Sequence, residues 1–130
     1  MYDFLWFGVF VAINALVVTL LALFVSYRRI SLRIANGDGG KLEMKQAIRA
    51  HANAVEHTAI FGFIVLALAV LSAPLPVQAI LVIAFSAGRV LHGVSMLNSA
   101  FGMRRLAAIL TYASELLGVL SVIYALFASL

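Results

Sequence analysis

The chain has 130 residues, of which 65% are hydrophobic and only 11% charged, and it carries a formal charge of +4. Soluble domains are about 45–50% apolar and about 25% charged, so this composition excludes an ordinary water-soluble fold and implies an integral membrane protein. The basic residues cluster in two short connections beside apolar runs, which marks membrane orientation and argues against a nucleic-acid partner. Cysteine is absent, which excludes a disulfide framework and a thiolate metal site.

Hydropathy predicts an all-α fold, a four-helix membrane bundle forming one domain over residues 1–130. The first span covers about 4–27 and is closed by Arg28, Arg29 and Arg33. Asp3 and no cation precede it, and no small-residue cleavage site follows, so it reads as an uncleaved span and not a signal peptide. The loop "IANGDGGKLEMKQ" comes next, with turn signals at Gly37, Gly39 and Gly40. The uncharged run from Thr58 to Ala73 is shorter than the roughly 20 residues a span needs, so the second span draws in earlier residues and covers about 48–73. "SAPLPV" breaks it, and the third span covers about 77–97, carrying Arg89 and His92. After "NSAFGM", Arg104 and Arg105 open a fourth span of about 105–129.

Lysine and arginine fill the first and third connections and are missing from the second. The positive-inside rule therefore places those two connections in the cytoplasm and both termini on the other side.

A helical rise of about 1.5 Å per residue puts Glu56 about 25 Å and Arg89 about 20 Å from the non-cytoplasmic edge, at similar depth. Glu115 falls roughly 15 Å beyond Arg105 and reaches the same region. Charges inside a bilayer normally pair, so Arg89 is expected in a structural ion pair with Glu115 or with Glu56, and spacing alone does not choose. At about 100° per residue, Arg49, Asn53 and Glu56 share one helix face, as do Arg89, His92 and Met96, and also Arg105, Ile109 and Tyr112. Converged, these stripes form a basic pocket containing a carboxylate. His51, His57 and His92 point in divergent directions, so no metal site is expected. Asn14 suits a hydrogen bond between helices, and Gly88 and Gly93 suit close helix packing.

"RAHANAVE" resembles the R-A-x-x-N-x-x-E signature on the second helix of the MAPEG family, the membrane-associated proteins in eicosanoid and glutathione metabolism. "NGDGG" before it, "GRVLHG" after it and "RR" before "LTY" resemble the small bacterial inner-membrane branch, over nearly the whole chain. The resemblance implies a homotrimer of four-helix subunits in a bacterial inner membrane. Glutathione would bind between subunits near the cytoplasmic face, and lipophilic small molecules would enter from the lipid. It implies that Arg28, Arg49, Asn53, Glu56 and His92 bind glutathione and that Arg105 stabilises its thiolate, with Arg104 as the alternative. Ala52, Met96 and Ile109 replace ligand-contacting arginine and tyrosine residues of the prostaglandin synthase branch.

The ligand chemistry agrees with these residue types. Arginine forks hold carboxylates, a glutamate accepts from an ammonium, and a guanidinium favours the thiolate of a thiol with a pKa of about 8.5. The implied activity is glutathione transfer or peroxide reduction on lipophilic electrophiles. Two other readings stay open on the sequence: a noncatalytic membrane assembly protein, and a small proton-coupled exporter using Glu56 or Glu115.

Overall fold

The structure, a computed structural model, describes residues 4–129, so Asp3 lies outside the described residues. The chain forms four helices: α1 (Leu5–Leu32), α2 (Leu42–Val70), α3 (Leu75–Leu97) and α4 (Phe101–Ala128). All four are long and apolar enough to cross a membrane.

Each helix end has a local cause. Arg33 closes α1 in the left-handed region at φ 54°, and its N–H donates to the carbonyls of Arg29 and Ile30. Gly39 follows at φ 58°, and a Cβ there would meet Ile34 Cδ1 at 2.8 Å, so glycine answers both to the backbone and to the space. The α2 helix starts at Leu42, ahead of the expected 48. Leu42, Glu43, Met44, Lys45 and Gln46 are all good helix formers, and Met44 and Ala47 are fully buried, so propensity and packing extend the helix beyond its apolar core. Pro76 lies in the first turn of α3, where a missing N–H does no harm. The α1 helix runs past Tyr27, and α4 begins ahead of Arg104, so Arg28, Arg29, Arg104 and Arg105 are all helical.

The α1 helix packs on α2 and α3, and α4 packs on α3 and α2, while α1 and α4 do not meet. The core between them is built on three aromatic rings. Phe61 and Phe85 stack with centroids 4.0 Å apart and an interplanar angle of 7°, and Phe10 lies 5.7 Å from the first and 5.9 Å from the second. Ile64, Val65, Leu68, Ala73, Leu81 and Val82 pack around them, and a smaller cluster joins Leu21, Ala50 and Ala54. Asn14 fulfils its expected role as a bond between helices. Its Nδ2 donates to Ser86 Oγ of α3 at 2.9 Å and to the Phe10 carbonyl at 3.0 Å. Large apolar side chains such as Leu23, Phe63, Ile80, Leu116 and Tyr124 point outward, as a lipid-facing surface requires.

Candidate functional site

Small and polar residues line the buried stripe of α4: Ala107, Thr111, Ser114 and Gly118. They let α3 approach closely, and Arg89 of α3 enters the space between α2 and α4, only 2% exposed. Its Nη1 donates to Asn53 Oδ1 at 2.8 Å and its Nη2 to Thr111 Oγ1 at 2.7 Å, while its guanidinium lies 5.8 Å from the Phe85 ring centre. The Thr111 hydroxyl in turn donates to the Ala107 carbonyl at 2.9 Å. Arg89 thus fixes the orientation of the Asn53 amide: the oxygen faces the guanidinium, and the two N–H groups are left to donate elsewhere.

The expected ion pair of Arg89 with an acid is not formed. Glu115 instead takes His57, with Nδ1 and Oε1 2.7 Å apart and side chains 14% and 15% exposed. The cause is register along α4. Thr111 lies level with Arg89, whereas Glu115 lies one turn further on and meets α2 at His57, one turn beyond Asn53. Glu56 is not available to Arg89 either, because it turns to the outer surface of the bundle.

The other expected ligand residues divide between inside and outside. Asn53 is half-buried, while Arg49 and Glu56, on the edge of the same face, are exposed and make no hydrogen bond to any described residue. Arg105 is likewise exposed, whereas Arg104 is half-buried, reaching Met96 Sδ at 3.5 Å and lying 4.7 Å from the Phe101 ring centre. His92 is buried. Arg28 lies against Phe24 and pairs through Nη1 with Glu43 Oε2 at 3.1 Å. Within the chain the basic stripes therefore do not close into a single pocket. Arg49, Glu56 and Arg105 face outward at the basic end of the bundle. Among the described residues no group of three metal-ligating side chains is present.

Thr111, the His57–Glu115 pair and the Arg28–Glu43 pair were not expected as parts of this region. Thr111 had a legible signal, since it falls on the small and polar stripe of α4. The partners of His57 and Arg28 had none, because each depends on how two helices are rotated against each other. A separate cleft of about 520 Å³ opens at the opposite end, between the α2–α3 connection and the second half of α4, lined by Val77, Leu117, Leu120 and Tyr124 among others. It contains none of the basic residues.

Fold and site together define an all-α integral membrane protein with a buried arginine network beside an outward-facing polar stripe. The sequence model of the MAPEG family matches residues 7–124, and the chain belongs to that family. It is similar to the inner membrane protein YecN of Escherichia coli strain K12, with 32% identity over 114 residues, covering 88% of this chain and 87% of the relative. The protein of the same description from Escherichia coli O6:H1 matches to the same extent. No solved structure matches the chain. With four membrane-crossing helices and inner-membrane relatives, this is a multi-pass protein of a bacterial inner membrane.

Proposed function

We propose that this protein binds glutathione at the basic end of the bundle, between copies of itself in a homotrimer whose termini face away from the cytoplasm, and conjugates it to lipophilic electrophiles or uses it to reduce their peroxides. The observation that carries the reading is the placement of Arg49 and Glu56. Both are exposed charges on one outward face of a helix apolar enough to cross the membrane, flanking an Asn53 whose amide is locked in one orientation. Uncompensated charges facing lipid are expensive, so that face calls for polar cover from a ligand and a neighbouring subunit.

The residues suit glutathione, which has two carboxylates, an ammonium and a thiol. Arg49 and Arg28 would hold carboxylates, Glu56 would accept from the ammonium, and Asn53 would donate to a carbonyl or carboxylate oxygen. Arg28 retains an Nε buried without a partner, so part of its fork is uncommitted despite Glu43. His92 would bound the site from α3. Bound glutathione would supply the nucleophilic sulfur, and Arg105 would favour its thiolate form. Calorimetry on the purified protein, with a transferase assay on an aryl halide, tests the proposal. Binding at millimolar glutathione with turnover supports it, and the absence of both rejects it.

A further inference from the structure

The His57–Glu115 pair is not among the residues assigned to glutathione, yet it joins α2 directly to α4. A carboxylate this far into an apolar helix is not required by topology, and an apolar pair would join the two helices at less desolvation cost. Its position gives it a use. Asn53 and His57 are one turn apart on α2, and Thr111 and Glu115 are one turn apart on α4. Two successive rungs therefore join the same two helices: Asn53–Arg89–Thr111 and His57–Glu115. The first rung passes through α3 by way of a long side chain, whereas the second is direct and short. Tyr112 braces the His57 ring edge-on, with centroids 5.4 Å apart.

A fixed contact at His57 constrains the rotation of α2 about its own axis, together with the Asn53–Arg89 rung and the buried packing of Phe61 and Val65. That rotation decides where the residue just before His57, Glu56, points, and Arg49 two turns earlier. We infer that His57 and Glu115 are positioning residues, which hold α2 in the rotation that presents Arg49, Asn53 and Glu56 to a ligand carrying carboxylate and ammonium groups. This rests on the proposed glutathione site.

The test uses the full chain in detergent, with glutathione as the probe. Glu115→Leu removes the acceptor and is expected to weaken glutathione binding by roughly tenfold or more, since small misplacements of binding groups are costly. Glu115→Gln keeps an acceptor for the His57 N–H and should remain within about threefold of the parent. The exchanged pair His57→Glu with Glu115→His restores the contact and should bind more tightly than either single change, which serves if Glu115→Leu fails to fold. A folded Glu115→Leu that binds like the parent, or an exchanged pair no better than its single variants, overturns the inference. Absence of binding by the parent protein rejects the glutathione site alone. The positioning role is then read without ligand, from the distance between nitroxides on Lys45→Cys and Met103→Cys in this cysteine-free chain, diluted with unlabelled subunits. Broadening of that distance in Glu115→Leu but not in Glu115→Gln supports the inference, and an unchanged distribution in both overturns it.

Discussion

Gly88 approaches Thr111 so closely that a Cβ on it would stand 3.2 Å from the threonine hydroxyl. It would also lie 3.2 Å from Leu110 Cβ and 3.3 Å from the Ala107 carbonyl. Neither of these can swing aside as a side-chain tip could. Because Thr111 carries one end of the Arg89 fork, a single missing methyl group underlies both the α3–α4 contact and the polar network.

Gly88→Ala is therefore expected to lower the thermal midpoint in detergent, although alanine favours a helix by about 1 kcal/mol over glycine. Overpacking against atoms that cannot move costs about 1–3 kcal/mol, which exceeds that gain. Gly88→Val should be worse than Gly88→Ala, and an unchanged midpoint in both variants would show that the helices separate freely.

Arg89→Lys should destabilise the fold, with each hydrogen bond lost from the charged group worth about 1.5–3 kcal/mol. The guanidinium reaches Asn53 and Thr111 with two different nitrogens, and a single ammonium cannot reproduce that fork. Thermal unfolding of the lysine variant checks this, and a midpoint equal to the parent's would mean that the fork contributes nothing.

Phe61→Ala and Phe85→Ala should each cost about 3–5 kcal/mol as large-to-small changes in a packed core. Because the rings stack at 4.0 Å, a double-mutant cycle should return a coupling of about 0.5–1.5 kcal/mol. Simple additivity would mean that the rings contribute by burial alone.

Glu43→Gln should change stability by less than about 1 kcal/mol, because the Arg28–Glu43 pair is substantially exposed at 34% and 45%. Its effect should appear in binding instead. Freed from that carboxylate, Arg28 should hold a carboxylate ligand more tightly, which titration of the purified variant with glutathione would detect.

Arg105→Ala should abolish aryl-halide turnover while largely sparing glutathione affinity, because a residue that favours the thiolate acts on the reacting atom. Glu56→Gln should have the opposite signature, weakening binding through the ammonium contact. Retained turnover in Arg105→Ala, with its loss in Arg104→Ala, would transfer the role to the neighbouring arginine, which lies half-buried against Met96 and Phe101.

The sequence by itself determined the class and the number of helices. Apolar runs too long for a soluble domain, punctuated by glycine and proline, leave few alternatives to four crossing helices, because unpaired backbone groups are intolerable in lipid. The motif around Arg49, Asn53 and Glu56 was also legible, since helical periodicity alone puts those residues on one face. What periodicity leaves open is the angle of that face relative to the neighbouring helices. Only the tertiary structure turned Asn53 toward Arg89 and left Arg49 and Glu56 outside. It was likewise the packing of α3 against α4 through Gly88 that put Thr111, and not an acid, level with the buried arginine. A shift of one turn in either helix would have brought Glu115 there instead. Depth follows from residue count, but choosing between partners one turn apart needs the relative register of two helices, which packing sets and no single helix encodes.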